Sequence, residues 1–251
     1  MSQGQEPLVQ LKALSKRYGA LQALDGIELA IFPGEVLALC GDNGAGKSSL
    51  IKVLSGAEPP SAGEMWLRGA PVRFGSPQDA LALGVAAIYQ DLALAPRLSI
   101  RENVFMGAEL TRPVLFPFLR RLDKQRMAGE ARELLARLEI HIEDIERPVE
   151  SLSGGQRQAV AIARALRANA SLIIMDEPTA ALGVRESAQV LALIDRLRAS
   201  GHTVLLISHN MRDVVQVATR VVILKGGRKV QDSSMAGLQA EDLRRMIFEA
   251  A

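Results

Sequence analysis

Short apolar runs that alternate with helical segments are the main pattern along this chain. The clearest run is Val36–Cys40, VLALC, which is continuous in the way that buried parallel strands are. Three further runs have the same character: Leu172–Met175, Thr203–Ile207 and Val221–Leu224. Strands separated by helical stretches predict an α/β fold built around a mainly parallel sheet.

Two segments near the start of the chain alternate apolar and polar residues instead. Val9–Leu14 and Leu24–Ile31 show this alternation, which is typical of half-exposed antiparallel strands. Gly63–Phe74 has the pattern of a hairpin that turns at Gly69–Pro71. We therefore expect an antiparallel sheet beside the parallel core.

The middle of the chain, from about Asp91 to Ala168, shows no strand pattern. Lys124–Leu138 has apolar residues at helical spacing, and Arg157–Ala168 is a second helical run. This part is predicted to be a helical lobe inserted into the α/β core. The end of the chain is expected to form a strand turn at Gly226-Gly227 and a short helix, Ala240–Phe248.

The pattern as a whole predicts one domain over residues 1–251. Its α/β core, with the antiparallel lobe, would occupy about 1–90 and 169–251, and the helical lobe about 91–168. Apolar residues make up 48% of the chain and charged residues 23%, which excludes a disordered protein. The net charge of +2 gives no overall attraction to nucleic acid, so no nucleic-acid partner is expected.

Cysteine use and hydropathy indicate where such a chain would work. Cys40 is the single cysteine, so no internal disulfide can form, which fits a reducing compartment. The N-terminus lacks the continuous apolar region of a signal peptide. The longest apolar stretch, Ala80–Tyr89, is far shorter than the roughly 20 residues that cross a bilayer. We expect no membrane span.

The most informative motif is Gly41–Ser48, which fits G-x-x-x-x-G-K-[ST] and lies between an apolar strand and a helical run. Glycines let backbone N–H groups surround phosphates, and the helix N-terminus favours negative charge. Lys47 supplies a cation for the phosphates, and the Ser48 hydroxyl can ligate Mg²⁺. The alternative is a chance glycine-rich turn. The candidate nucleotide-binding residues here are Gly41, Asn43, Gly44, Ala45, Gly46, Lys47, Ser48 and Ser49.

Two carboxylates end the apolar run that begins at Leu172. Buried unpaired carboxylates are costly, so packing does not explain Asp176 and Glu177. Asp176 is placed to hold Mg²⁺, directly or through water, and Glu177 to polarise an attacking water as general base. The alternative is an acidic pair at the start of a helix.

A second helix start carries the sequence LSGGQ at residues 152–156. Ser153 is a candidate N-cap, and a serine followed by two glycines at a helix start forms another potential anion site. Together with the phosphate loop and the acidic strand end, this segment resembles the ATP-binding-cassette (ABC) ATPases. The resemblance covers roughly Val9 to Lys229, and the motifs occur in the family's order.

The resemblance implies an α/β fold: a P-loop NTPase core with a mainly parallel sheet, a flanking antiparallel β-subdomain and an inserted α-helical signature subdomain. It also implies that two chains dimerise head to tail and hold ATP and Mg²⁺ between them. Each LSGGQ would then face the partner's γ-phosphate. The signature residues assigned to ATP in this way are Ser153, Gly154, Gly155 and Gln156.

Other positions match the family's motifs one by one. Tyr18 matches the aromatic residue that stacks on adenine, although it could serve packing alone. Gln90 matches the glutamine that senses Mg²⁺ and the attacking water, and His209 the histidine that contacts the γ-phosphate. Gly183 departs from the pattern, because the family usually has aspartate there. The departure puts coupling between the two sites in doubt, but not nucleotide binding.

The stretches Tyr89–Leu94 and Leu98–Gly107 are similar to monosaccharide importers of the ribose, xylose and fructose kind. That similarity implies an ATPase that forms a homodimer on ATP binding and powers separate transmembrane permease subunits. A periplasmic or extracellular sugar-binding protein would be an indirect partner. The chain would lie at the cytoplasmic face of the plasma (inner) membrane, peripheral through the permease.

Three alternatives stay open at this point. The chain could serve an ABC transporter for another solute, including an exporter. It could belong to a non-transport system such as DNA repair or translation, although the long insertions of those relatives do not fit within 251 residues. It could also be a regulatory cassette that binds ATP without hydrolysing it, which Gly183 keeps open.

Overall fold

A computed structural model describes residues 6–114 and 120–249 of the chain. The strands are β1 Val9–Tyr18, β2 Leu21–Ile31, β3 Val36–Cys40, β4 Ala62–Leu67, β5 Ala70–Val72, β6 Val85–Ile88, β7 Thr111–Pro113, β8 Arg120–Leu122, β9 Leu172–Asp176, β10 Thr203–Ile207, β11 Arg220–Lys225 and β12 Arg228–Ser234. The helices are α1 Lys47–Leu54, α2 Pro77–Ala82, α3 Ile100–Phe105, α4 Lys124–Arg137, α5 Gly154–Arg167, α6 Val184–Ala199, α7 Met211–Val217 and α8 Ala240–Glu249. Of the helices described, none is long and apolar enough to cross a membrane.

The described chain divides into two compact units. The first comprises residues 6–90, 170–178 and 194–249, and the second comprises 91–114, 120–169 and 179–193. Our sequence boundaries placed 179–193 in the α/β core, whereas the structure groups this segment with the helices of the second unit.

The main sheet of the first unit has six strands in the order β12-β11-β3-β10-β9-β6. Every neighbouring pair is parallel except β11 and β12, so the predicted mainly parallel sheet is confirmed. The register aligns Leu206 of β10 with Ala38 of β3 and Met175 of β9, and aligns Met175 with Ile88 of β6. The carboxyl ends of these four strands therefore lie along one edge.

The two faces of the sheet carry different cores, because successive strand residues point in opposite directions. In β3, Leu37 and Leu39 join a large cluster that includes α1 and the antiparallel sheet. Ala38 and Cys40 face the other side, where they pack with residues of α7 and α8. Burial of all five β3 residues explains the continuous apolar run.

One strand of this sheet, β6, was not predicted from the sequence. The apolar stretch Ala80–Tyr89 holds the end of α2 and then β6, and Gly84 at φ 89° separates them. The Gly84 carbonyl accepts hydrogen bonds from the N–H groups of Ser171 and Leu172. A four-residue strand next to a six-residue helix gives too short a pattern for either period to show.

The predicted antiparallel sheet is present, with strand order β2-β1-β4-β5. The hairpin turn was placed one residue too far along: Leu67 pairs with Ala70, and the turn residues are Arg68 and Gly69. Both have positive φ, 49° and 74°, as a two-residue turn of type I′ requires. The predicted turn at Gly226-Gly227, between β11 and β12, is confirmed.

The second unit contains a group of three mutually packed helices, α3, α4 and α5. The helix predicted at Lys124–Leu138 is observed at Lys124–Arg137, with Asp123 as its N-cap. The expectation that this region lacks strands was wrong, because β7 and β8 form an antiparallel pair. All residues of both strands are exposed, so they carry no apolar alternation that sequence could reveal.

Strand β10 lies in the middle of the main sheet, and all five of its residues are buried. Leu205 is fully buried there, so Leu205→Ala should lower the free energy of unfolding by about 2–5 kcal/mol. Leu21→Ala removes the same atoms from a position that is 66% exposed. This variant should change the free energy of unfolding by less than about 0.5 kcal/mol. Urea denaturation of both variants measures the difference. Equal effects would contradict the observed burial.

Candidate nucleotide-binding site

The phosphate loop connects β3 to α1 and requires glycine at two positions. Gly41 has φ 145°, and a Cβ there would collide with the carbonyl oxygen of Leu224. Gly46 is the N-cap of α1 with φ 104°, and a Cβ there would lie 2.7 Å from the Ala23 carbonyl oxygen. Both positions combine positive φ with close backbone neighbours, so only glycine fits without strain.

A turn distant in sequence supports this loop. The N–H of Gly227, between β11 and β12, donates to the Ala45 carbonyl at 3.1 Å. The Gly227 carbonyl in turn accepts from the N–H of Asp25 at 2.8 Å. The turn at Gly227 is predictable from the sequence, but no local pattern indicates which loop the turn contacts.

Lys47 begins α1, and its ammonium group lies against the loop. Nζ donates to the carbonyl oxygens of Gly41 and Asp42, at 2.6 and 2.9 Å. The positive charge of Lys47 also lowers the pKa of Asp176, although burial and repulsion from Glu177 raise that pKa by more. The structure therefore brings together the predicted cation and the predicted metal-binding carboxylate.

Asp176 and Glu177 follow directly on each other at the carboxyl end of β9. Burial raises the pKa of Asp176, and repulsion from Glu177 raises it further. Glu177 has φ 52°, an unfavourable conformation for a non-glycine residue, and its N–H donates to the Ile207 carbonyl at 2.9 Å. This positive φ turns the chain at the point where the carboxylate leaves the strand.

His209 and Gln90 lie at the same edge of the sheet. His209 comes two residues after β10, and its Nδ1 lies 2.7 Å from Glu177 Oε2. Gln90 comes two residues after β6, the strand next to β9, and is exposed. The loop, the two acids, the histidine and the glutamine thus follow four adjacent strands, where ligands of open α/β sheets bind.

The donor set at this edge suits Mg²⁺. No group of three or more His, Cys, Asp or Glu side chains that could hold a metal occurs in the described part of the chain. Mg²⁺ needs no such group, because it binds through one or two carboxylates together with phosphates and water. Burial and the neighbouring Glu177 both raise the pKa of the Asp176 carboxyl, and a bound cation would offset both of these effects.

The LSGGQ segment begins α5 in the second unit. Ser153 is the N-cap: its hydroxyl accepts from Gln156 N–H, and Gln156 Oε1 accepts from Ser153 N–H. Gly154 and Gly155 are buried, and a Cβ on either would meet the side chain of Leu182 or Gln189. The two glycines therefore permit close packing of the segment that follows residue 179.

Glu186 links this helix start to Gly183, a connection that was not predicted from the sequence. Its Oε1 accepts from Gly154 N–H at 2.8 Å, and its Oε2 accepts from Gly183 N–H at 3.3 Å. An acid in the first turn of α6 is a weak signal for the Gly183 contact. The contact with Gly154 has no local signal.

Two further polar residues hold the segment that follows Gln90. The Asn103 side chain is fully buried and bonds both the N–H and the carbonyl of Ala95, at 2.7 and 3.1 Å. Arg164 on α5 donates to the carbonyls of Leu92 and Ala93, at 2.9 Å each. The course of this segment is therefore determined by side chains of the second unit.

Tyr18 is the last residue of β1 and is 38% exposed. Its hydroxyl donates to Glu58 Oε2 at 2.5 Å. Glu58 lies in the connection between α1 and β4, and no sequence motif points to it.

Comparison with known proteins agrees with this geometry. A family model described as "ABC transporter" matches residues 24–180, more than half of the chain. The chain belongs to the ABC transporter family. It is similar to ATP-binding cassettes of known structure. One, nucleotide-free, has a TM-score of 0.82 at 23% identity over 98% of both chains. The P-loop NTPase fold with its extra sheet and helices is therefore confirmed.

A second structural neighbour is a dimer. It is a post-hydrolysis state of an ATP-binding cassette bound to ADP and Pi, with a TM-score of 0.72 and 26% identity over 92% of this chain and 100% of that one. Membership of the ABC family and this likeness together establish the chain as a nucleotide-binding cassette.

Several proteins similar in sequence to this ABC chain are named for the import of a sugar. It is 49% identical to the fructose import ATP-binding protein FrcA of Rhizobium meliloti, over 90% of this chain and 88% of that protein. It is 44% identical to the xylose/arabinose import ATP-binding protein XylG of Sulfolobus acidocaldarius, over 97% and 95%. A ribose import ATP-binding protein of Escherichia coli O157:H7 is 39% identical over 96% of this chain, which spans 46% of that protein.

The ionised Asp176 side chain should destabilise the folded protein when no nucleotide is bound. Its native pKa is raised above the ordinary 3.8, so the native state releases this proton at a higher pH than the unfolded chain does. Stability is therefore lost as pH rises from about 3.8 through the native pKa. Asp176→Asn removes the charge, and its melting temperature at pH 7 should be about 1–3 °C higher.

Thermal melting of Asp176→Asn without nucleotide tests this expectation. Asp42→Asn, which changes an exposed carboxylate of the phosphate loop, is the control and should melt like the wild type. A lower melting temperature for Asp176→Asn would contradict the assignment.

Proposed function

We propose that this chain is the ATP-binding and ATP-hydrolysing subunit of an ABC importer for a monosaccharide. The observation that carries the proposal is the 49% identity, over nearly the whole chain, to a fructose import ATP-binding protein. Relatives named for xylose/arabinose and ribose import support the same class of substrate. The site at the edge of the sheet supports the ATPase activity.

Nucleotide binding follows from the phosphate loop and Tyr18. The N–H groups of Gly44, Ala45, Gly46 and Lys47 and the hydroxyls of the following serines suit a triphosphate. The Lys47 ammonium would exchange its two loop carbonyls for phosphate oxygens, because a charge-assisted hydrogen bond to an anion is the stronger one. Tyr18 would stack on the adenine ring.

The residues that would hold Mg²⁺ are Ser48, Asp176 and Gln90. When bound, the metal neutralises phosphate charge and orients the phosphates. Glu177 would accept the proton of the attacking water as general base. His209 contacts the same carboxylate through Nδ1, so it would orient Glu177, and its other ring nitrogen would be the group that contacts the γ-phosphate.

Closure of two chains would complete each site. Ser153 and the two glycines after it would contact the γ-phosphate held by the partner's phosphate loop, with Gln156 supporting the cap. Closure follows only if ATP binds the closed dimer better than the open state. The segment from Gln90 to about Gly107 would transmit closure to separate permease subunits at the cytoplasmic face of the membrane. A sugar-binding protein outside the membrane would select the sugar.

A hydrolysis-impaired cassette is the second candidate, because Gly183 lacks the usual carboxylate. The structure shows a carboxylate near this position, since Glu186 accepts from Gly183 N–H. The contact between Glu177 and His209 also supports hydrolysis. ATP turnover is therefore the favoured activity.

Glu177→Gln should reduce ATP turnover at least about 100-fold, because a general base contributes at least that factor. The Glu177→Gln variant should also change from monomer to dimer when MgATP is added. Light scattering measures this change in mass. Glu241→Gln alters an exposed acid on α8 and should behave like the wild type. Undiminished turnover in Glu177→Gln would refute the assignment of the base.

Import of a monosaccharide can be measured in membrane vesicles that contain this chain, its permease and the binding protein. Uptake of labelled fructose, xylose or ribose should require ATP inside the vesicle. Lys47→Ala, which removes the phosphate-binding cation, should abolish it. ATP-dependent uptake of a different solute, with none of these sugars taken up, would favour the alternative transporter.

A further inference from the structure

The Tyr18 phenol is anchored by a residue that belongs to none of the family motifs. Tyr18 OH donates to Glu58 Oε2 at 2.5 Å, and Glu58 lies beyond the end of α1. A hydrogen bond at the tip of the ring restricts rotation about both side-chain torsions of tyrosine. The plane of an exposed ring is thereby held in one orientation.

Glu58 also receives two cations. Lys52 Nζ lies 3.1 Å from Oε1, and Lys16 Nζ lies 3.1 Å from Oε2. The hydrogen bond from Tyr18, followed by that from Lys52, lowers the pKa of Glu58 from 4.5 to about 2. The acceptor of the Tyr18 bond therefore stays ionised at every pH at which the protein works.

These contacts join the tyrosine to the phosphate-binding helix. Lys16 and Tyr18 lie on β1, whereas Lys52 lies on α1, which begins at the phosphate loop. Glu58 bridges them. It therefore fixes the ring relative to the helix whose first residues would bind the triphosphate.

The backbone at Glu58 is itself restrained. Its N–H donates to the Lys52 carbonyl at 3.1 Å, and the carbonyl of the next residue, Pro59, accepts from Lys16 Nζ at 2.8 Å. Pro59 and Pro60 have fixed φ, and a residue before proline is confined to extended conformations. The carboxylate is thus in place before any nucleotide arrives.

We propose that Glu58 is a positioning residue for the adenine base, which orients the Tyr18 ring and sets its place relative to the phosphate loop. The inference rests on the proposed stacking of Tyr18 on adenine. Preorganisation of this kind increases affinity because the ring loses no further freedom when the base binds. It acts on the base alone and not on the phosphates.

A merely structural role would give different results. Glu58 is 26% exposed and Lys52 is 48% exposed, and ion pairs at such positions contribute little to stability. A structural defect at Glu58 would spread through α1 to the phosphate loop. It would then weaken every ligand that has a triphosphate, whether or not the ligand has a base.

The experiment compares ATP with inorganic tripolyphosphate, which lacks the base, by calorimetric titration in Mg²⁺ at pH 7. Glu58→Ala and Tyr18→Phe should each weaken ATP binding about 2- to 12-fold, the value of one hydrogen bond, and the double variant no further. Glu58→Gln keeps an acceptor oxygen and should restore most of the affinity. Tripolyphosphate should bind all variants equally.

Glu64→Ala is the matched control. It removes an exposed acid, one that accepts a hydrogen bond from Trp66 and not from Tyr18.

Tyr18→Ala separates this inference from the proposed function. Weak ATP binding by Tyr18→Ala together with unchanged binding by Glu58→Ala would overturn the positioning role and leave stacking intact. Equal loss of ATP and tripolyphosphate in Glu58→Ala would also overturn it. ATP affinity unchanged in Tyr18→Ala would refute stacking, and the positioning role with it.

Discussion

The parallel register of β3, β10, β9 and β6 is the constraint on which the site depends. Backbone hydrogen bonds between these strands align their carboxyl ends, so that the four segments that follow them meet at one edge. A slip of one residue would exchange the two faces of a strand and move its terminal polar residue. Burial on both faces opposes such a slip. In β3, for example, Leu37 and Leu39 pack into one cluster, and Ala38 and Cys40 pack into another.

Backbone contacts from distant parts of the first unit then shape that edge. Gly41 and Gly46 approach the carbonyls of Leu224 and Ala23, and Gly227 supports the loop through Ala45. Glu177 adopts an unfavourable φ that its bond to Ile207 helps to maintain. The glycines of the motif thus serve the packing of the loop as well as its phosphate chemistry. The strain falls on the residue proposed as the base.

Carboxylates that no motif contains hold the motif residues in place. Glu58 bonds the Tyr18 hydroxyl, and Glu186 bonds the N–H groups of Gly154 and Gly183. The Gly154 contact places a negative group at a helix N-terminus, where it is favoured. In each case a single side chain joins two elements.

Four of the main-sheet strands, the phosphate loop, the acidic pair and the capped signature helix could be predicted from the amino-acid sequence. These features are local: each shows as a run, a period or a spacing within about a dozen residues. The folded chain alone reveals that β6 joins the sheet, that Glu58 anchors Tyr18 and that Gly227 supports the loop. Such hydrogen bonds join residues that are far apart in the chain. They leave no periodicity in the sequence, because a bond needs only one donor and one acceptor brought together by the fold.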